Sequence, residues 1–173
     1  MKHILVTGGC GYTGTILTNN LVDLGNKVTV VDIQWFGNYL VSRKNLNVIK
    51  LDIRNHEKIP LIEVDTVVHL ASIANDPSAE LNSKLSWEVN VLATQKLIEN
   101  SIKNKVKQFI FASSGGVYGI KQEKEVTEDL SLVPISMYNQ TKMIAERVLK
   151  SYENEIQVYC IRPAAVCGYS PKM

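Results

Sequence analysis

Three glycines at every third position, Gly8, Gly11 and Gly14, follow directly on the short apolar run of Ile4, Leu5 and Val6. The stretch 12–24 beyond them has helical character, so the local order is strand, tight turn, helix. Glycine is needed where a chain must turn sharply, let a ligand approach backbone N–H groups, and pack a helix closely on a strand. A glycine loop opening a helix presents orphan N–H groups and the positive end of a helix dipole, which together suit a pyrophosphate. A purely structural glycine turn is the competing reading, and the strand-to-helix context weighs against it.

The same alternation continues along the chain. Short β-branched runs at Val28 to Ile33, 47–51, 64–71, 109–112 and 156–161 read as strands. Leu81, Leu85, Val89 and Leu92 recur at spacings of four and three, predicting one long helix over 81–100, and a further helix is expected over 136–151. Nearly continuous apolar strands suit a parallel sheet covered on both faces. The expected fold is therefore α/β, a Rossmann-type doubly wound parallel sheet in a single domain over 1–173, with ligands bound beyond the carboxyl ends of the strands.

Asp32 closes the second strand, eighteen residues past Gly14, where a carboxylate can accept hydrogen bonds from ribose hydroxyls and repel a 2′-phosphate. This favours NAD over NADP, with Arg43 and Lys44 nearby keeping the phosphorylated cofactor open. Asp52 and Ile53 follow the third strand and are candidates for the adenine end of a cofactor, although such a pair is also a common helix start. His69, Leu70, Ala71 and Ser72 follow the fourth, where small residues let backbone pass close to a cofactor. No second metal-type residue lies at a suitable spacing from His69, which is expected to be a packed or hydrogen-bonded strand residue, so no metal site is expected.

Tyr138 and Lys142 are four residues apart in a predicted helix and project from one face. A phenol with its ordinary pKa near 10 is a weak base at neutral pH, and an adjacent ammonium is expected to lower it. Ser114, just after the fifth strand, can hold the same substrate hydroxyl.

Taken in order, Thr7 to Gly14, Asp52-Ile53-Arg54, His69 to Ser72, Asn90-Val91, Ser113 to Gly119 and Tyr138 to Lys142 resemble the motif series of the extended short-chain dehydrogenases/reductases, and in particular nucleotide-sugar epimerases. The resemblance implies Ser114, Tyr138 and Lys142 as a catalytic triad. It implies a cofactor site built from Gly8, Gly11, Tyr12, Thr13, Gly14, Asp32, Asp52, Ile53, Leu70, Ala71, Ser72, Asn90, Tyr138 and Lys142, with NAD as cofactor and a nucleotide-diphosphate sugar as substrate. It also implies a homodimer through the helices at 81–100 and 136–151, a turn toward the sugar at Arg162 and Pro163, and a smaller sugar-binding region beyond residue 173. Ala165 stands where sugar-nucleotide epimerases often carry a substrate-contacting asparagine, and Ala93 where a glycine is usual. Related 4,6-dehydratases place Asp-Glu after the serine or threonine, where this chain has Gly115-Gly116.

Nineteen basic and seventeen acidic residues leave a formal charge of +2, with no basic patch pointing to nucleic acid and no segment long and apolar enough for a membrane. Three cysteines without C-x-x-C spacing predict neither a disulfide framework nor a zinc site, and a reducing cytoplasm fits them. The expected activity is epimerisation by transient hydride transfer. A keto-sugar reductase uses the same residues, and an NAD-binding module without turnover is the reading from another class.

Overall fold

The computed structural model describes residues 1–171. Six strands form one all-parallel sheet: β1 (His3–Thr7), β2 (Lys27–Asp32), β3 (Leu46–Lys50), β4 (Thr66–His69), β5 (Gln108–Ala112) and β6 (Gln157–Ile161). Their spatial order is β3-β2-β1-β4-β5-β6, so the winding reverses between β1 and β4 and opens a crevice at their carboxyl ends. The strands alternate strictly. Leu5, Val67 and Phe109 pack into one apolar cluster, while Ile4, Val6, Val30 and Val68 pack into another. The inner strands β1, β2 and β4 are buried on both faces, as the sequence predicts, whereas the edge strand β6 leaves Tyr159 and Ile161 exposed. Among the described residues no helix is long and apolar enough to cross a membrane.

Two expectations shift. The second strand stops one residue before the end of its apolar run, and the fourth covers only four residues of its run. Asp32 ends β2 because its Oδ1 accepts the Gln34 N–H at 2.7 Å and starts a turn, leaving Ile33 outside the strand. The single long helix over 81–100 is instead four pieces: α2 (Asp76–Leu81), α3 (Ser83–Trp87), a π-helical turn (Glu88–Ala93) and α4 (Thr94–Lys103). Asn82 causes the first break, its φ of −148° leaving the helical region while its side chain caps Leu85 N at 3.0 Å. The π turn then inserts extra backbone and rotates the apolar stripe out of register. Val89 is buried as expected, but Leu81 and Leu92 face solvent, 88% and 56% exposed.

A polar bracket crosses the core beside this turn. His69 on β4 is fully buried, and the Thr94 hydroxyl already donates to the Asn90 carbonyl at 2.9 Å. Thr94 must therefore accept the His69 Nε2–H at 2.8 Å, and His69 Nδ1 must accept the Thr7 hydroxyl at 2.6 Å. The imidazole is neutral with a single tautomer, and burial pushes its pKa down to about 3, with Lys142 adding to the effect. The sequence reading of His69 as a hydrogen-bonded strand residue holds.

An unfolded histidine titrates near 6.5, so below that pH the unfolded chain binds a proton that the folded chain refuses. This contribution to stability is complete above about pH 6.5 and declines as pH falls toward 3. Between pH 7 and pH 5 the loss should be about 2 kcal/mol. Urea unfolding at the two pH values measures it, and His69→Gln should flatten the decline. An equal slope in both proteins would remove His69 as the cause.

Candidate active site

The glycine turn sits at the sheet's crevice because nothing larger fits. Gly8 has φ +74°, and a Cβ there would lie 2.6 Å from Ala71 N and 2.8 Å from Ala71 Cα. The ends of β1 and β4 can approach this closely only without a side chain. A Cβ on Gly14 would overlap the Gly8 carbonyl oxygen and lie 2.8 Å from Gly9 Cα, so Gly14 lets helix α1 (Tyr12–Asp23) sit directly on the turn. Gly14→Ala should therefore displace α1 and abolish nucleotide binding. Calorimetric titration with NAD checks this, and retained affinity would show that the turn yields easily.

Gly11 is constrained differently. A Cβ there would meet only the Gly8 carbonyl oxygen, at 3.1 Å, so the protein itself nearly has room for one. Gly11 is the N-cap of α1 and offers no side-chain acceptor, which leaves the first-turn N–H groups available to an anion in the cleft.

That cleft has a volume of about 1020 Å³ and runs from the glycine turn to Tyr138. Every residue of the expected triad and cofactor site lines it, apart from Asn90. Asn90, 1% exposed, has its amide committed: Oδ1 accepts Ile73 N–H at 2.8 Å, and Nδ2 donates to Ile73 O at 3.1 Å and Thr141 Oγ1 at 3.0 Å. Thr141 in turn donates to the Tyr138 carbonyl. The structure thus sets Asn90 behind the cleft lining, with its amide bonded to the chain. It ties the loop after β4 to helix α5 (Met137–Lys150), which carries Tyr138 and Lys142.

Asp32 does more than the sequence suggests. Its Oδ2 accepts the Cys10 N–H at 3.0 Å while Oδ1 holds Gln34, so the carboxylate organises both loops around it. Of the nearby cations that kept NADP open, Arg43 is paired with Asp23 at 3.0 Å. Asp52 is gripped by Arg54 through N, Nε and Nη2, and this pairing holds its carboxyl below the ordinary range.

At the far end of the cleft, Lys142 is 2% exposed and its Nζ donates to the Ala112 carbonyl at 2.8 Å, lying 4.7 Å from the Phe111 ring centroid and 5.6 Å from that of Tyr138. Burial lowers its pKa to about 7, with Glu146 opposing. Tyr138 is shifted up, chiefly by burial and then by the Asp76 carboxylate, against a hydrogen bond with Ser72 that favours the phenolate. The expected depression by Lys142 does not appear. A lysine this strongly desolvated is only partly charged at neutral pH and spends its contact on a carbonyl. Ser114 Oγ accepts Gly116 N–H at 3.1 Å and keeps its own proton to donate.

Arg162 follows directly on β6, at the turn before Pro163. Its guanidinium is locked onto Glu146 and the Tyr118 hydroxyl, a buried network that sequence spacing gave no means of pairing.

Residues 4–173 match the family model described as the NAD dependent epimerase/dehydratase family. UDP-glucose 4-epimerase of Lactobacillus helveticus is 30% identical over 84% of this chain and 46% of its own length. The solved UDP-N-acetylglucosamine 4-epimerase of Methanobrevibacter ruminantium, in complex with UDP-N-acetylmuramic acid, superposes with a TM-score of 0.85 at 30% identity, covering 93% of this chain and 54% of that one. Thermus thermophilus UDP-glucose 4-epimerase in complex with NAD gives 0.81 at 27% identity, covering 92% and 54%. The chain thus spans about half the length of the relatives it matches. With the motif order, the strand order and nearly the whole chain matched together, the protein belongs to the NAD-dependent epimerase/dehydratase family of extended short-chain dehydrogenases/reductases.

Proposed function

We propose that this chain is the cofactor-binding part of an NAD-dependent nucleotide-sugar epimerase. One observation carries the reading: the glycine turn, Asp32, Ser114, Tyr138 and Lys142 all line a single continuous cleft. NAD fits the residues present, with the α1 amides toward its pyrophosphate, Asp32 toward the adenosine ribose and Lys142 toward the nicotinamide ribose. Bound there, the cofactor supplies the hydride acceptor and donor and the positive charge of its oxidised ring.

The rest falls to the protein. Ser114 donates to the sugar oxygen and fixes it. Tyr138 takes the hydroxyl proton as the sugar carbon is oxidised and returns it as the carbon is reduced on its other face. The hydrogen bond from Ser72 favours the phenolate in the first half of this cycle. Burial favours the phenol in the second.

Dehydration is disfavoured by a specific feature. The 4,6-dehydratases place an acid and a base after the serine or threonine, but residues 115 and 116 here are glycines, and the Asn139 amide lies 2.5 Å from where a Cβ on Gly116 would be. The test is to supply the intact protein with UDP-glucose and UDP-galactose and follow both epimers and NADH. Interconversion without net NADH supports epimerisation. Oxidised sugar with stoichiometric NADH would make the enzyme a dehydrogenase, and no sugar turnover with any nucleotide sugar would favour a binding module.

A further inference from the structure

The loop after β2 carries a feature that the hydride chemistry does not use. Gly37 N–H donates to the Gln34 carbonyl at 3.2 Å, closing a tight turn with Trp35 and Phe36 at its two corners. Both flanking residues are left-handed, Gln34 at φ +57° and Gly37 at φ +91°. The turn is fastened at each end. Asp32 Oδ1 holds Gln34 N–H, and Asn38 Oδ1 accepts the Leu40 N–H at 3.0 Å and the Cys10 thiol at 3.6 Å. A strained and pinned turn thus presents an indole that is 57% exposed.

Four apolar side chains are exposed on this loop: Trp35, Phe36, Tyr39 and Val41. If the patch served a macromolecular partner, no relation to the cleft would be needed. Yet Trp35, Phe36 and Gly37 line the cleft, beside Asp32, Asp52, Ile53 and the apolar Leu17 and Leu21, whereas Tyr39 and Val41 do not. The geometry points to Trp35 as a wall of the site for a planar heterocyclic base, the adenine of the cofactor, recognised through its face.

The chemistry around it favours face over edge. Asp52, which lines this end together with Asp32, is held by three donors of Arg54, and Asp32, which also holds Cys10 and Gln34, is assigned to the ribose and not to the base. Ile53 is 5% exposed and offers only apolar surface. An indole supplies a large, rigid face at little conformational cost, and stacking tolerates any purine.

This inference rests on the reading of the cleft as an NAD site, and the experiment separates the two. NAD, AMP and nicotinamide mononucleotide are titrated calorimetrically into cofactor-stripped intact protein, wild type and Trp35→Ala, with Val41→Ala as a control on the same loop. Wild type should bind NAD and AMP. Trp35→Ala should weaken both about tenfold, leave nicotinamide mononucleotide unchanged, and be largely rescued by Trp35→Phe. In a Trp87→Phe background, where Trp35 is the sole tryptophan, AMP should quench its fluorescence. Unchanged AMP affinity in Trp35→Ala, with wild-type binding intact, overturns the wall while leaving the NAD site standing. Failure of wild type to bind either nucleotide overturns both.

Discussion

Replacing Tyr138 by phenylalanine in the intact protein is expected to lower sugar turnover by about 10²–10⁴-fold while leaving NAD affinity within a factor of about two. The substitution removes one oxygen. The ring stays, and with it the apolar contact that helps bury Lys142, whose Nζ remains on the Ala112 carbonyl. What disappears is the group that moves the sugar proton, together with its hydrogen bond to Ser72. Since burial holds the phenol above its ordinary pKa, removing it strips no charge from the resting site, and stability should change little. Steady-state turnover, an NAD titration and a thermal melt on the same preparation divide the outcomes. Turnover within threefold of wild type would remove Tyr138 from the chemistry. Lost turnover with equally lost NAD binding would assign it to cofactor positioning instead.

Much of this arrangement is legible in the sequence because it depends on short-range rules. Apolar runs give the strands, glycine spacing gives the turn at Gly8 to Gly14, and a separation of four on α5 brings Tyr138 and Lys142 together. The missed features are tertiary. A periodicity argument assumes a constant rotation per residue, so it cannot see the π turn at Glu88–Ala93 that turns Leu92 outward and Asn90 inward. Motif resemblance places Asn90 near the cofactor, and the structure gives its amide to Ile73 and Thr141, bracing α5. The direction of the Tyr138 shift also depends on burial, which a sequence does not report. Asn82 was the available signal for the helix break, as a good N-cap inside an otherwise periodic stretch.

The Glu146–Arg162 pair is the other position where a single change should have a large effect, here on stability. Glu146 lies one helical turn past Lys142 on α5, is 1% exposed, and accepts Arg162 Nε at 3.0 Å and Nη2 at 2.7 Å. The same guanidinium donates to the Tyr118 hydroxyl at 2.7 Å and lies over its ring, so one cation joins α5, the end of β6 and the turn that follows Ser114. Glu146→Ala would leave a guanidinium whose side chain is only 13% exposed without its counter-ion, at a cost of about 3–5 kcal/mol. The double replacement Glu146→Leu with Arg162→Met should recover most of that loss, because removing both charges removes the desolvation penalty with them. Activity should separate from stability in the double variant: Glu146 opposes the burial shift on Lys142, so without it the lysine falls below its value of about 7 and loses charge. Urea unfolding reads the first effect and the pH profile of turnover the second. A single variant that loses less than about 1 kcal/mol would show that solvent reaches Arg162 readily, and the pair would then be no more than a surface contact.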